Sequence, residues 1–176
     1  YKRYSGWPEI KESLISGELD AAYMLAPLVM DLVTKDSPVK IVSIGHRSGA
    51  VIMVHTDSPY RKFHDLIGKV IAIPSRFAVD FLFLGKMLAK EGMSLKDVQI
   101  VEMAPPDMPA ALYAKAVDGI TSREPFMGQS ELDGYGRVLY LTKDVWPDFI
   151  SCALAVHEDV IKNERDKVQQ LVDGIA

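Results

Sequence analysis

The sequence is poor in the residues that build disulfides and membrane spans. Cys152 is the only cysteine, so no disulfide can form within the chain, and cysteine usage carries no information on the redox compartment. No uninterrupted apolar run reaches the roughly 18 residues that a membrane-spanning helix needs. No signal peptide is visible, because the first residues lead directly into domain-like sequence.

Motifs of catalysis and metal binding are missing as well. The four histidines include no His-x-x-x-His pair, and a cysteine pair is absent, so no metal site is predicted. The chain has no Gly-x-Ser-x-Gly elbow, no P-loop and no Gly-x-Gly-x-x-Gly turn. We therefore expect a protein that binds a small molecule without a cofactor, rather than an enzyme.

The charge balance excludes a typical nucleic-acid-binding protein. The chain has 20 basic and 24 acidic residues, a formal net charge of −4, whereas nucleic-acid binders show a basic surplus. Its hydrophobic content of 48% and charged content of 25% are typical of a folded globular protein. A length of 176 residues is enough for one domain or two small lobes.

What the sequence does contain is a regular alternation of short apolar strands with helices, which indicates an α/β protein. β-branched residues predict strands at Val39 to Ile44 and at Ala50 to His55. The longest predicted helix runs from about Ser75 to Lys90, and a final helix begins at about Glu158. Their predicted apolar faces comprise Phe77, Phe81, Leu84 and Leu88 in the first, and Ile161, Val168, Leu171 and Ile175 in the second.

One stretch combines a turn, a helix, a buried strand and a second helix. Prolines at 105–109 mark the first helix start, residues 116–121 form the strand, and Glu124 lies in the first turn of the next helix. Such a unit brings helix N-termini and Glu124 to one edge of a sheet, where a small polar ligand can be held.

The same stretch resembles the second lobe of the solute-binding proteins of ABC importers of the nitrate/sulfonate/taurine type, the NMT1/THI5-like family. The resemblance extends from about Trp7 to about Ile161. Its motifs are Gly-Glu-Leu-Asp-Ala-Ala at 17–22, Asp-Leu-Ile-Gly-Lys-Val-Ile-Ala-Ile-Pro at 65–74, Pro-Pro-x-Met at 105–108, Val-Asp-Gly-Ile at 117–120 and x-Glu-Pro-Phe at 123–126.

The resemblance implies a two-lobed, type II periplasmic-binding-protein-like α/β fold, with a mixed sheet in each lobe and a hinge between them. Residues 1–56 are then expected in lobe 1, 57–148 in lobe 2, and 149–176 in a return to lobe 1. Because family members are longer on both sides, we expect the chain to be truncated at both ends and to have lost an export leader.

The resemblance further implies a solute-binding component that traps a small anionic or zwitterionic organic solute between its lobes. Sulfonates, taurine, nitrate and pyrimidines are the solutes of such proteins. The implied partner is a membrane permease, and the implied location is periplasmic or extracellular and membrane-anchored. Two alternatives stay open: an enzyme of the thiamine-pyrimidine or menaquinone-pathway kind on the same fold, and a sensory ligand-binding domain.

Ser75, Arg76 and Phe77 form the first candidate ligand-binding segment. A strand ends at Pro74 and a helix is predicted to begin at once, which aims backbone N–H groups past the strand end. Ser75 can cap the helix or donate to a ligand oxygen, and Arg76 can grip an anionic head group. The alternative is a plain helix cap beside a solvated arginine.

Arg123 and Glu124 form the second candidate. The family usually carries an aromatic residue before this Glu-Pro pair, whereas this chain has Arg123, which favours a charged or more polar ligand. Glu124 can accept from a ligand amine or hydroxyl. Alternatively its carboxylate only stabilises the helix N-terminus, an effect of roughly 0.3–1 kcal/mol.

The remaining candidates lie in the first lobe. Trp7 either stacks on a planar ligand or packs at a helix start. Tyr23 and Met24 lie at a strand end that the family uses against its ligand, although Met24 also suits simple packing. Arg47 and Ser48 take the place of polar residues that touch the ligand in nitrate-binding relatives, and a surface turn is the alternative.

Overall fold

The computed structural model describes residues 2–4, 6–47 and 49–175. It has two compact units, which we call unit 1 (Tyr1–Arg47 and Ile150–Ala176) and unit 2 (Ser48–Phe149). Both contain helices and a β-sheet, which confirms the predicted α/β class. Within the described ranges, no helix is long and apolar enough to cross a membrane.

The elements follow one another in a strand–helix alternation, with short 3-10 segments at Phe63–Leu66, Leu95–Asp97 and Pro105–Asp107. In chain order they are α1 (Trp7–Ile15), β1 (Ala21–Leu25), α2 (Ala26–Thr34), β2 (Val39–Ile44), β3 (Ala50–His55), β4 (Val70–Ile73), α3 (Val79–Lys90), β5 (Gln99–Glu102), α4 (Met108–Tyr113), β6 (Gly119–Arg123), α5 (Phe126–Leu132), β7 (Gly136–Leu141), α6 (Thr142–Val145), β8 (Cys152–His157), α7 (Glu158–Asn163) and α8 (Arg165–Asp173).

Unit 1 is built on a three-stranded sheet in the order β1–β8–β2, which is antiparallel throughout its described strands and not mixed as expected for each lobe. The central strand β8 is buried along its whole length, as its continuous apolar sequence requires. Leu154 and Val156 of β8 pack with Val168 of α8. Helix α1 carries a proline in its first turn, and Gly17 adopts a φ of 77° just beyond its end. The proline at the start and the glycine past the end thus mark the helix as the sequence predicts.

Unit 2 is built on a five-stranded mixed sheet in the order β5–β4–β6–β3–β7. Strands β5, β4 and β6 are parallel, whereas β3 is antiparallel to both β6 and β7. Core residues cover both faces of the sheet. One face packs Phe63, Phe83, Leu84 and Leu88 against Ile52, and the other packs Met108, Leu112, Ile120 and Met127 against Met53.

Strands β2 and β3 have the predicted bounds, but α3 begins at Val79 and not at Ser75. A local turn occupies residues 74–78, and it shifts the buried face of the helix. Phe83 is fully buried in place of Phe77, which is 42% exposed. The prediction of a packed apolar face is therefore correct for Leu84 and Leu88 and wrong for Phe77.

The last predicted helix is interrupted. Helix α7 ends at Asn163 and α8 starts at Arg165, with Glu164 outside helical geometry at φ −137°. The break changes the side that faces the sheet, so Val168 is buried whereas Leu171 and Ile175 are exposed. These two residues were wrongly predicted to lie on the packed face.

The chain passes from unit 1 to unit 2 after Arg47, and not near residue 56. The reason is the pairing of β3, which hydrogen-bonds to β6 and β7 of unit 2 along its whole length. It returns to unit 1 at Ile150, one residue after the expected position. The sequence pattern marks β3 as a buried strand but does not indicate its sheet.

Two glycines of unit 2 provide a stability test. A Cβ at Gly136 of β7 would lie 2.8 Å from the Ser130 Cβ and 2.5 Å from the Met53 sulfur, whereas a Cβ at Gly85 of α3 would meet only Leu95 at 3.6 Å. We expect Gly136→Ala to lower the free energy of unfolding by about 1–3 kcal/mol through overpacking. Gly85→Ala should raise it by about 0.5–1 kcal/mol because alanine favours the helix.

Urea unfolding followed by circular dichroism measures both changes, and Gly85→Ala is the matched control. Equal effects of the two substitutions would contradict the packing described around β7.

Candidate functional site

The carboxyl ends of the parallel strands β4, β5 and β6 lie along one edge of unit 2, which we call the strand-end edge. In α/β sheets such edges are where ligands bind. Four of the predicted site residues lie directly after these strands or at their ends, together with two carboxylates that the sequence analysis did not single out. The six are Ser75, Arg76, Arg123, Glu124, Asp80 and Glu102.

Ser75 forms a local turn instead of capping α3. Its hydroxyl oxygen accepts from the Phe77 N–H at 3.1 Å, and its carbonyl accepts from the Ala78 N–H at 3.0 Å. The N-cap of α3 is Ala78, which has no side-chain cap, so the predicted capping role of Ser75 is wrong. Serine prefers such local bonds to its own backbone. Its O–H hydrogen remains a possible donor to a ligand.

Arg76 lies at the surface of this edge and contacts Glu102. Its Nε lies 3.3 Å from one carboxylate oxygen of Glu102, and its backbone N–H donates to the other oxygen at 3.3 Å. The guanidinium carbon also lies 5.6 Å from the centre of the Phe81 ring. Both charged side chains are about half exposed, and an exposed pair of this kind contributes only about 0–1 kcal/mol. A ligand can exchange with either partner at small cost.

Arg123 forms a very different pair. Its Nη2 donates to Oδ2 of Asp80 at 2.5 Å, and the exposed fraction is 15% for the arginine side chain and 0% for the aspartate. Asp80 lies in the first turn of α3, where the helix dipole stabilises a carboxylate. The pair ties α3 to β6. The protein itself therefore supplies the counter-charge of Arg123.

Three buried oxygens, one in this pair and two on the residues that precede Arg123 in β6, have no hydrogen-bond partner among the described residues. They belong to Asp80 (Oδ1), to Thr121 and to Ser122, all three at most 1% exposed. Buried polar atoms are normally paired, and a bound water or ligand is one way to satisfy those that are not. A lone carboxylate within the apolar run of α3 was the sequence signal for Asp80.

Glu124 precedes α5 rather than lying in its first turn. One of its carboxylate oxygens accepts from the Gly128 N–H at 2.7 Å, and a Cβ at Gly128 would lie 2.6 Å from that oxygen. The carboxylate thus stabilises the start of the helix, which was the structural alternative for this residue. Its contact with a ligand stays a prediction.

The candidates in unit 1 occupy different environments. Tyr23 is 37% exposed, and its ring lies 2.8 Å from the Cβ position of Gly45, whereas Met24 is fully buried and packs. Trp7 is the first residue of α1 and is partly buried. Arg47 is exposed and forms a β-bridge to Ile150.

Ser48 lies outside the described residues. Ligand contacts of Trp7, Tyr23 and Arg47 stay predictions, as they do for Ser75, Arg76, Phe77 and Arg123.

The two arginine pairs differ in a way that mutation can measure. Asp80→Asn keeps the shape of the side chain but leaves Arg123 buried without its counter-charge, so we expect a loss of roughly 3–5 kcal/mol in unfolding free energy. The matched control, Glu102→Gln, breaks the exposed pair with Arg76 and should cost less than about 1 kcal/mol.

The double variant Asp80→Leu with Arg123→Met should be more stable than the sum of the two single variants predicts. Urea unfolding supplies all these values. An Asp80→Asn effect no larger than that of Glu102→Gln would contradict the assignment of a buried ion pair.

The sequence is similar to that of known binding proteins. A binding protein of Brucella abortus strain 2308 is 31% identical over 163 residues, which cover 91% of this chain and 50% of the relative. The chain therefore spans about half the length of the curated relatives it matches.

Solved structures agree with this comparison. The ligand-binding component of an ABC-type import system from Staphylococcus aureus matches with a TM-score of 0.87 and 28% identity, over 96% of this chain and 58% of that one. The alkanesulfonate-binding protein SsuA from Xanthomonas axonopodis pv. citri has a TM-score of 0.86 over 98% of this chain and 59% of its own. At 22% identity, that second likeness shows the fold alone.

The model of the NMT1-like family matches residues 2–176. The motifs around the strand-end edge had led to the same family, and the two-lobed fold of the periplasmic binding proteins is the predicted one. The chain thus belongs to the NMT1-like family.

Proposed function

We propose that this chain is part of the solute-binding component of an ABC importer, and that its ligand is a small anionic or zwitterionic organic solute. Family membership supports the transport role, and related binding proteins of solved structure are described as binding sulfonates or nitrate. The proposal assigns no catalytic role to any residue. It includes a membrane permease as partner and a periplasmic or membrane-anchored extracellular location.

The observation that carries the proposal is the pairing of opposite charges at the strand-end edge. Arg76 and Glu102 form an exposed pair that a ligand can separate, while Arg123 is already neutralised by buried Asp80. A sulfonate or carboxylate head can replace Glu102 on the guanidinium of Arg76 with a bidentate contact. Glu102 is then free to accept from an amine.

This arrangement favours a zwitterion among the proposed solutes. A ligand with one acidic and one basic end replaces both halves of the Arg76–Glu102 pair, so no charge is left without a partner. A purely anionic ligand leaves Glu102 unpaired, and a purely cationic ligand leaves Arg76 unpaired. Since this edge is exposed to water, the difference is modest, but it sets the order of affinities.

Thermal-shift and calorimetric titrations of the 176-residue chain test the proposal. The panel contains taurine, which carries both charges, ethanesulfonate, which carries only the acid, and ethylamine, which carries only the amine. Nitrate and a pyrimidine complete it. We expect taurine to bind best. At about 100 times its Kd it should stabilise the fold by about 2.7 kcal/mol.

Arg76→Met should weaken taurine binding by about tenfold or more, the effect of losing one charge-assisted hydrogen bond. Arg165→Met on α8 of unit 1 is the matched control and should leave the affinity unchanged. A chain that none of these solutes stabilises, or that Arg76→Met and Arg165→Met affect equally, would refute the proposal.

A further inference from the structure

Two arginine side chains meet at one backbone carbonyl at the edge of unit 2 opposite the strand-end edge. Arg137, next to the start of β7, donates from Nη2 to the Tyr60 carbonyl at 2.6 Å. Arg61 donates from Nη1 to the same oxygen at 3.0 Å and to the Ser58 carbonyl at 2.7 Å. The contacts place two guanidinium groups side by side, where each repels the other.

Neither guanidinium has a carboxylate partner. Within the described ranges, no ion pair joins Arg61 or Arg137 to an aspartate or glutamate. Burial lowers the pKa of Arg137, and the charge of Arg61 lowers this pKa further. Paired cations of this kind are what binds a polyvalent anion.

Two polar atoms of Arg137 and Ser58 are buried and have no hydrogen-bond partner in the part of the chain that the structure describes. They are Nε of Arg137, which can only donate, and the hydroxyl of Ser58, which can donate or accept. Ser58 is directly linked to this cluster, since its carbonyl accepts from Arg61. Both atoms can donate to an oxygen of an oxyanion.

The carboxylates of this region are engaged elsewhere. Asp57 contacts Lys115 at 3.4 Å, and Asp118 accepts from the Tyr60 hydroxyl at 2.6 Å. Asp65 accepts from two backbone N–H groups at the start of the 3-10 segment, at 2.7 Å and 3.0 Å. None of these acids can turn to the arginines without giving up its present partners.

A pocket of about 160 Å³ adjoins the cluster at Ser58 and Tyr60, and its walls also include Lys115 and His55 as well as the acids Asp57 and Asp118. It is smaller than the roughly 300–1,000 Å³ of sites for drug-sized molecules. Nδ1 of His55 accepts from the Asp57 N–H at 3.1 Å, which leaves its Nε2–H as a further donor. The size points to a small ion.

We propose that unit 2 carries a second binding site, distinct from the strand-end edge, in which Arg61, Arg137 and Ser58 hold a free tetrahedral oxyanion such as phosphate or sulfate. The anion bridges the two guanidinium groups, receives the Nε–H of Arg137 and the hydroxyl of Ser58, and removes the repulsion between the arginines. The site does not depend on the identity of the transported solute.

Nitrogen-15 NMR of the arginine Nε–H groups tests this site directly. The Arg137 signal is assigned by its loss in Arg137→Lys, and inorganic phosphate and sulfate are titrated at constant ionic strength against chloride. We expect a saturable shift of the Arg137 signal with both ions. Arg61→Met, a change at an exposed side chain, should weaken binding by about tenfold, the factor for one lost charge-assisted hydrogen bond.

Arg165→Met in unit 1 is the matched control and should leave the titration unchanged. A shift that does not saturate, or one that is the same in Arg61→Met, would overturn the proposal. Sedimentation with phosphatidylglycerol vesicles separates a free ion from a lipid head group. Arg61-dependent sedimentation without any response to free phosphate would also overturn it.

Discussion

The ion pair between Asp80 and Arg123 is the interaction on which the arrangement of unit 2 depends. It joins the first turn of α3 to the end of β6 in a place where neither charge reaches water freely. A buried charge without its partner is strongly unfavourable, so the two elements cannot separate at this point while the fold is intact. The loops that follow β4 and β6 therefore start from fixed positions.

Arginine serves unit 2 in three different ways. Arg123 is buried and structural, Arg76 is exposed and exchangeable, and the guanidinium groups of Arg61 and Arg137 share a carbonyl with no ion pair to an acid among the described residues. The net charge of −4 shows none of this. What matters for binding is the local partner of each guanidinium, and for Arg76, Arg123 and Arg137 that partner comes from a distant part of the chain.

Much of the fold followed from local sequence signals. β-branched runs marked β2 and β3 to the residue, and Pro8 with Gly17 bounded α1, because these signals act within a few neighbouring residues. The start of α3 did not follow. Ser75 has the type of side chain that caps helices, but its hydroxyl accepts from the Phe77 N–H and closes a local turn. The sequence alone does not distinguish such a turn from a helix cap.

The candidate site was predictable in its location and less so in its chemistry. Strand ends and helix starts pointed to Ser75, Arg76, Arg123 and Glu124. The partners Asp80 and Glu102 were missed because pairing between residues 43 and 26 positions apart in sequence leaves no local pattern. The cluster of Arg61, Arg137 and Ser58 was missed for the same reason. Arg61 and Arg137 are far apart in the sequence, and only the fold brings both to the Tyr60 carbonyl.

The sheet order of unit 1 has a consequence for how the protein is made. Strands β1 and β2 do not pair with each other; both pair with β8, which lies on the far side of unit 2 in the chain. On the ribosome, these two early strands must wait until all of unit 2 and then β8 have emerged. Unit 2, a single continuous segment, can complete its own sheet first, so β1 and β2 lack their partner strand for longer than the strands of unit 2 lack theirs.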